Sequence, residues 1–258
     1  MITVRLDQFA PVRGEVAANV EHVVGTVREA GADGVDMLVV PELALTGYHL
    51  SADEFRERQP AVEDGLATIA DAATDVTVVV GTPTYGPLRN SAVVLADGEL
   101  LGTYHKTHRY DAETDVFAAG DAVDPVETPV GTLGVEVCYD LEFPEVAREL
   151  ALGGADVLVT ISANMRPFAD YQAAYLRARA MENARPHLLC NRVGTEDETD
   201  FFGGSGAVDV RGDPLVRAGE DVERQVTVTL DLDDRQDETL SYVADRRPSV
   251  YRRTCGSD

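Results

Sequence analysis

Three residues with different chemistry each follow a strand-like stretch of the chain, and together they could cleave an acyl bond. Cys138 follows the alternating apolar positions Val135 and Val137, whereas Glu42 and Lys106 follow two earlier stretches. A thiolate is a nucleophile, a carboxylate can carry its proton, and an ammonium can stabilise the negative charge that develops on a carbonyl oxygen. Because one sheet can gather the ends of several strands, these residue types indicate nucleophilic catalysis at such an edge.

Cys138 lies where a strand is expected to end and a helix to begin. Pro144 is tolerated in the first turn of a helix, and Val146 and Leu150 continue with helical spacing. The positive end of that helix would favour the thiolate form of Cys138. A single cysteine is more often a small buried apolar residue than a catalyst, so this interpretation depends on the other two side chains.

Glu42 and Lys106 each carry a separate argument for function. Glu42 comes directly after an apolar run, where a carboxylate is costly to bury unless it is used, although it could also cap a helix or lie in a solvated loop. Lys106 is the single lysine among the 22 lysines and arginines of the chain. Arginine cannot replace lysine where a compact ammonium must point at one oxygen. The alternative is that Lys106 is a random remnant, because the exchange of one surface charge for another usually changes stability very little.

Three segments resemble the signatures of the nitrilase superfamily, the carbon–nitrogen hydrolases. They occur in the order and at the approximate spacing of that family: Pro41-Glu42-Leu43 with Thr46-Gly47-Tyr48, Lys106-Thr107-His108, and Cys138-Tyr139-Asp140 with Phe143-Pro144-Glu145. One such segment would be a weak signal, but three in order are specific. The resemblance extends from about Val4 to Tyr251, which is nearly the whole chain.

The resemblance implies hydrolysis of a small amide to a carboxylate and ammonia. Cys138 would attack the carbonyl carbon and form a thioester, and Glu42 would carry the protons between the reacting groups. Lys106 and the backbone N–H of Tyr139 would stabilise the oxyanion. The small amide and water are the expected partners, and no cofactor is implied.

The residues around the substrate are less well defined by the resemblance. The family has a second glutamate on a loop that closes the site, and Glu113 matches it by position, with Glu127 as the alternative. The expected substrate contacts are Tyr48, Tyr110, Tyr139, Asn164, Met165 and Phe202. Met165 stands where many relatives have an aromatic residue, often tryptophan, and this chain has no tryptophan. A methionine there implies a more adaptable pocket wall.

Other chemistry could use some of the same residues. Nitrile hydrolysis and the cleavage of N-carbamoyl compounds remain alternatives to amide hydrolysis, as does a non-catalytic relative that only binds ligands. Arg166 could bind a carboxylate of the substrate or form a surface ion pair. A zinc site at His105, His108 and Cys138 is disfavoured, because the two histidines would point to different sides of an extended segment and no fourth ligand is near. We therefore expect no metal.

The order of strand-like and helix-like segments indicates an α/β fold with mixed sheets. A second helix is expected at 62–74, and the longest at 171–185, with an apolar face formed by Tyr171, Ala174, Tyr175, Ala178 and Met181. Residues 107–128 show little pattern and favour a loop packed over a pocket. The resemblance implies a four-layer α-β-β-α sandwich, a single domain over 1–258, and a tail at 240–258 used in contacts within a homodimer or higher homo-oligomer.

Composition limits the partners and the compartment. The net charge of −24 and the isoelectric point near 4.4 disfavour nucleic acids and anionic membranes, because both are polyanions. No apolar run is long enough to span a bilayer. An acid-rich, lysine-poor chain is typical of salt-loving organisms, where salt screens surface repulsion. The three cysteines fit a reduced cytoplasmic protein better than a disulfide scaffold.

Overall fold

Two six-stranded sheets face each other in the structure, a computed structural model that describes residues 1–234 and 241–251. The strands, in chain order, are Ile2–Gln8 (β1), Met37–Val39 (β2), Thr77–Thr84 (β3), Arg89–Ala96 (β4), Glu99–His105 (β5), Val126–Thr128 (β6), Gly131–Val137 (β7), Val157–Ser162 (β8), His187–Asn191 (β9), Val193–Glu196 (β10), Thr199–Phe202 (β11), Gly206–Val208 (β12), Pro214–Arg217 (β13) and Arg224–Leu230 (β14).

The helices cover the outer faces of the two sheets. They are Val16–Ala32 (α1), Ala52–Glu57 (α2), Gln59–Ala72 (α3), Glu113–Val116 (α4), Pro144–Leu152 (α5), Ala169–Asn183 (α6) and Pro248–Tyr251 (α7), and a 3₁₀ turn spans Cys138–Glu142. None of the helices within the described ranges is long and apolar enough to cross a bilayer.

Both sheets are mixed. The first has the order β14-β1-β2-β3-β4-β5, in which β2 runs parallel to β1 and β3 and the other pairs are antiparallel. The second has the order β13-β12-β9-β8-β7-β6, in which β8 runs parallel to β7 and β9 and the other pairs are antiparallel. The carboxyl ends of β2 and of β7, which precede Glu42 and Cys138, therefore each belong to a parallel part of a sheet.

Three apolar layers hold the sandwich together. The central layer lies between the sheets and contains buried side chains from both, such as Leu6 of β1 and Val135 of β7. On the outside of the first sheet, α1 and α3 pack their apolar faces against its strands. On the outside of the second sheet, Leu150 of α5 and Leu176 of α6 pack against β8 and β9. The four-layer α-β-β-α arrangement expected from the sequence is confirmed.

Several elements differ from the sequence-based predictions. The helix predicted at 62–74 begins earlier, as α3, and α2 precedes it with a capping box between Ser51 and Glu54. The stretch 107–128 contains α4 and β6 rather than a continuous loop. α1 is longer than α6, with 17 residues against 15. The apolar face predicted for α6 is wrong, because Tyr171 and Met181 are exposed and the inner face carries Arg179 and Asn183.

The tail predicted at 240–258 lies only partly within the described residues. Residues 241–251 run beside α6, where Tyr242, Arg246 and Tyr251 share a groove with Ala178 and Met181. Residues 252–258 lie outside the described part of the chain, as does Leu240. The described portion of the tail therefore borders the helix that exposes the side chains of Tyr171 and Met181.

Candidate active site

Cys138 begins the 3₁₀ turn between β7 and α5, and its backbone is left-handed, with a φ of 49°. A non-glycine residue in that region costs of the order of 1–3 kcal/mol and persists only where the surroundings enforce it. Here the carboxylate of Asp140 accepts a hydrogen bond from the backbone N–H of Val137 at 3.2 Å, and the N–H of Phe143 donates to the carbonyl of Asp140 at 3.0 Å. The turn therefore holds Cys138 in the wall of a cavity.

Glu42 follows β2 and is completely buried. Its carboxylate accepts hydrogen bonds from the Lys106 ammonium at 2.8 Å, the Asn90 amide at 2.7 Å and the backbone N–H of Ala163 at 2.6 Å. Gly81 of β3 makes this placement possible, because a Cβ there would lie 2.1 Å from the carbonyl oxygen that precedes Glu42. Burial raises the pKa of Glu42 and the charge of Lys106 opposes that rise, so the carboxyl is a stronger proton acceptor than an exposed one.

Lys106 lies between two carboxylates immediately after β5. Its side chain is 1% exposed, and its ammonium is 2.8 Å from Glu42 and 2.8 Å from Glu113. Burial alone would lower the pKa of Lys106, but the charges of Glu113 and Glu42 outweigh it and hold that pKa well above its ordinary value. The ammonium is therefore a fixed positive charge inside the protein.

Glu113 contacts the buried charges of the site, whereas Glu127 does not lie among them. Glu113 is buried in α4, and its carboxylate accepts hydrogen bonds from Lys106, from the hydroxyl of Tyr48 at 2.9 Å and from the backbone N–H of Tyr110 at 2.8 Å. Glu127 is exposed on β6. Sequence position alone left the two acids open, whereas the contacts of Glu113 join it to the buried charges.

The thiol of Cys138 lies in the field of the same charges. Burial raises its pKa, the negative charge of Glu42 raises it further, and the charge of Lys106 and a hydrogen bond with Ser162 lower it. The expectation that a helix N-terminus favours the thiolate is therefore wrong for the resting protein. The reason is that the 3₁₀ turn separates Cys138 from α5, while Glu42 and burial act directly on the sulfur.

A cavity of about 180 Å³ opens in front of Cys138. The described residues that line it are mostly aromatic or uncharged: Tyr48, Tyr110, Cys138, Tyr139, Leu141, Glu142, Ala163, Asn164, Met165, Phe168, Gln172 and Tyr175. Five of the six predicted substrate contacts are among them. The sixth, Phe202, is completely buried and lies under the guanidinium of Arg166, at 5.9 Å from its ring centre. A second cavity of about 380 Å³ adjoins the first through Tyr48, Tyr110 and Met165.

Sequence reasoning assigned no role to several residues that shape this site. Asn90, from β4, donates to Glu42, and Gln172 and Tyr175 reach the cavity from the first turns of α6. No periodic pattern distinguishes such residues from ordinary polar or core positions. Asp140 and Glu142 belong to the Cys138 segment, so their nearness to the thiol was the one available signal.

The remaining candidates are engaged elsewhere. His105 contacts the hydroxyl of Ser91 at 2.8 Å, and His108 contacts the carboxylate of Asp140 at 2.8 Å. Over 1–234 and 241–251 there is no group of three or more metal-binding side chains placed to hold an ion. Arg166 forms ion pairs with acids of the surface, the shortest of 2.7 Å to Asp221. Of its two predicted roles, the surface ion pair is the one observed.

Comparison with known proteins agrees with this geometry. The family model for the carbon–nitrogen hydrolases matches residues 3–237. The chain is 35% identical to an (R)-stereoselective amidase from Pseudomonas sp. over 253 residues, which covers 95% of this chain and 91% of the relative. It is 31% identical to a nitrilase from Pyrococcus abyssi over 265 residues, which covers 98% of this chain and 100% of the relative.

Solved structures give the same result. A carbon–nitrogen hydrolase from Helicobacter pylori G27 superposes with a TM-score of 0.89 at 27% identity, covering 99% of this chain and 98% of that one. A mutant amidase from Nesterenkonia sp. AN1 shows Michael addition of acrylamide at its active-site cysteine. It superposes with a TM-score of 0.85 at 27% identity, and the superposition covers 98% of this chain and 100% of that one. The chain therefore belongs to the carbon–nitrogen hydrolases, the nitrilase superfamily, and is an enzyme of that family.

Proposed function

We propose that this enzyme hydrolyses a small amide to a carboxylate and ammonia, with Glu42, Lys106 and Cys138 as the catalytic residues. The observation that carries the proposal is the buried contact of 2.8 Å between Lys106 and Glu42, whose charges both act on the Cys138 thiol. The cavity in front of that thiol has room for a small acyl compound. Amide hydrolysis is favoured over nitrile or carbamoyl hydrolysis because a Pseudomonas relative and the Nesterenkonia structures are amidases.

The first half of the reaction forms a thioester. The sulfur of Cys138 attacks the carbonyl carbon while Glu42 accepts the thiol proton. Lys106 and the backbone N–H of Tyr139 stabilise the oxyanion, for which one such donor typically contributes about 2.7–4 kcal/mol. Glu42 then gives its proton to the nitrogen, the C–N bond breaks and ammonia leaves.

The second half of the reaction hydrolyses the thioester. Glu42 accepts a proton from water, and the resulting hydroxide adds to the thioester carbon. The C–S bond then breaks as Glu42 returns that proton to the sulfur of Cys138. The raised pKa of Glu42 suits this alternation between base and acid. Glu113 also binds the Lys106 ammonium, and it orients Tyr48 by accepting a hydrogen bond from the Tyr48 hydroxyl.

The test compares variants of the two described cysteines. Cys138→Ala should abolish ammonia release from short amides, and Glu42→Gln should lower it by about 100-fold or more. Cys190→Ala is the control, because Cys190 is completely buried in the core between the sheets and should keep the activity. Mass spectrometry of the wild type during turnover should detect an acyl group on Cys138. Ammonia release by Cys138→Ala at the wild-type rate would contradict the proposal.

A panel of amides, nitriles and N-carbamoyl compounds distinguishes the related activities. If only nitriles or only N-carbamoyl compounds are hydrolysed, the assignment of the catalytic residues stands, but the substrate is not an amide. Absence of turnover of any compound, together with labelling of Cys138 by iodoacetamide no faster than that of an ordinary thiol, would instead favour a non-catalytic binding relative.

We also propose that the enzyme acts in the cytoplasm as a homodimer or larger homo-oligomer. A catalytic thiol requires a reducing compartment. The exposed side chains of Tyr171 and Met181 on α6, next to the described part of the tail, offer an apolar face to a second copy. Sedimentation velocity should show a species larger than the monomer mass of 27.8 kDa, which Met181→Asp should convert to monomer.

A further inference from the structure

Glu142 is the one charged side chain among the described residues that line the cavity in front of Cys138. The mechanism does not use it. It lies in the same 3₁₀ turn as Cys138, four residues further along. At a rise of about 2.0 Å per residue, their Cα atoms lie roughly 8 Å apart. Because both residues line the cavity, a short acyl chain whose carbonyl is at the sulfur can extend toward Glu142.

The carboxylate of Glu142 has no hydrogen bond or ion pair within the described part of the chain. Burial raises the pKa of the Glu142 carboxyl, and the charge of Arg179 opposes that rise. The guanidinium of Arg179 donates to the backbone carbonyl of Glu142 at 2.9 Å and pairs with the carboxylate of Glu182 at 3.1 Å. Arg166 pairs with surface acids. The oxygens of the Glu142 carboxylate therefore keep their hydrogen-bonding capacity for a ligand.

Tyr110, Cys138 and Glu142 line the same cavity. Burial is the largest cause that raises the pKa of Tyr110, the charge of Asp111 is the next, and the charges of Tyr139, Cys138 and Glu142 add smaller contributions. The carboxylate of Glu142 and the thiol of Cys138 therefore belong to residues that border one space.

Aromatic rings form much of the remaining wall. The ring of Tyr110 lies 5.5 Å from Tyr139 and 6.1 Å from Phe168, both at 75°. Aromatic faces attract a cation through the ring quadrupole, and a partly buried carboxylate adds a stronger charge interaction. A carboxylate on the substrate would be repelled by Glu142. The ammonium of Lys106 would not compensate, because it is already paired with Glu42 and Glu113.

We propose that the acyl group of the substrate carries an ammonium, which Glu142 and the surrounding aromatic rings bind. The preferred amides are then ω-amino amides rather than neutral alkyl amides or the ω-amides of dicarboxylic acids. This inference rests on the proposed amide hydrolysis and defines its substrate class. Glu142 is a specificity-determining residue and takes no part in the bond changes.

The experiment compares three series of amides with matched chain length, from about three to six carbons: ω-aminoalkanamides, alkanamides with the same number of heavy atoms, and ω-carboxyalkanamides. For the wild type, kcat/KM should favour the aminoalkanamide about tenfold or more at one chain length, which corresponds to about 1.4 kcal/mol. Glu142→Gln should reduce that ratio to about one, and Glu142→Lys should favour the carboxyalkanamide. Glu145→Gln is the matched control, because Glu145 is exposed outside the cavity and should keep the wild-type ratio.

The inference is overturned if Glu142→Gln keeps the wild-type ratio, or if the wild type prefers the neutral or the anionic series. Calorimetric binding of the same amides to Cys138→Ala separates this inference from the proposed function. If no amide is hydrolysed but Cys138→Ala binds the aminoalkanamide most tightly, the proposed function fails and the assignment of Glu142 holds. If amides are hydrolysed and bound without regard to charge, the assignment of Glu142 fails and the proposed function holds.

Discussion

At the scale of the residue, the site is a balance of buried charges. Glu42, Lys106 and Glu113 carry one net negative charge when all three are ionised. A thiolate at Cys138 would add a second negative charge in the same desolvated space, which explains why the pKa of both the thiol and Glu42 is raised. In the proposed mechanism the thiol keeps its proton until the sulfur attacks, and that proton then moves to Glu42.

The pH dependence of the reaction should report Glu42. Because Glu42 must be deprotonated to act as a base, kcat/KM should fall as the pH drops through its raised pKa, with the acid limb above the ordinary value of 4.5. The charge of Glu113 contributes to that rise, so Glu113→Gln should move the acid limb to lower pH. Glu127→Gln removes an exposed acid and should leave the limb in place. An upward shift in Glu113→Gln would contradict this account of the charges.

The ammonium of Lys106 should not be replaceable by arginine. Lys106→Arg keeps the charge but places a larger planar group in a site that is 1% exposed, so the group cannot point at the oxyanion from between two carboxylates. We expect kcat to fall by about 100- to 1,000-fold, which corresponds to the loss of one oxyanion donor. Thermal unfolding of the variant separates this effect from loss of the fold. Retention of most of the wild-type rate would show that charge alone is sufficient.

At the scale of the element, Asp140 connects the two segments that carry the proposed catalytic residues Lys106 and Cys138. One oxygen of its carboxylate accepts hydrogen bonds from the backbone N–H of His108 at 2.9 Å and from the hydroxyl of Thr107 at 2.7 Å, both just after Lys106. The other oxygen accepts hydrogen bonds from the hydroxyl of Tyr104 at 2.9 Å and from the backbone N–H of Val137, the last residue of β7, at 3.2 Å. The segment after β5, from the first sheet, is thereby fixed to the end of β7, from the second.

Asp140→Asn should weaken this connection without removing any catalytic group. An amide has a single oxygen acceptor, and its NH₂ group would face donors, so we expect a loss of about 1–3 kcal/mol in unfolding free energy and a fall in kcat. Tyr104→Phe deletes one of the hydrogen bonds and should cost about 1 kcal/mol. Chemical denaturation and steady-state kinetics measure the two effects. Equal stability of Asp140→Asn and wild type would show that the carboxylate does not hold the segments together.

At the scale of the whole molecule, the active site depends on the packing of one sheet against the other. Glu42 and Lys106 follow strands of the first sheet, whereas Cys138 follows a strand of the second. The apolar layer between the sheets fixes their separation. The electrostatic interaction of Glu42 and Lys106 with Cys138 is therefore a property of the assembled sandwich, and neither sheet alone contains all three residues.

The acidic surface should make the stability of the molecule depend on salt. With a net charge of −24, mutual repulsion is weakly screened at about 0.1 M salt, where the screening length is about 10 Å, and strongly screened at about 1 M, where it is about 3 Å. We expect the melting temperature to fall sharply as KCl is lowered from molar concentration to about 0.1 M. Sucrose at matched osmolality controls for general exclusion of solute from the protein surface. A melting temperature independent of KCl would remove the argument for a salt-adapted protein.

The sequence was sufficient for whatever depends on local pattern. Alternating apolar residues located β7, helical spacing located α5, and the order of such elements gave the layered α/β class. The end of each strand was also visible in the sequence, so the positions of Glu42, Lys106 and Cys138 at strand ends could be predicted. Their chemistry followed from residue type, because a thiol, a carboxylate and an ammonium have few combined uses.

The tertiary structure alone decided which groups touch and in which direction the pKa of each buried group shifts. It joined Glu113, rather than Glu127, to Lys106, placed Phe202 in the core and turned Tyr171 of α6 outward. It also reversed the expected direction of the Cys138 pKa shift, because a pKa depends on burial and on charges that come from distant parts of the chain. Periodicity reports which face of an element is apolar, but the partner that covers that face is set by contacts between residues far apart in sequence.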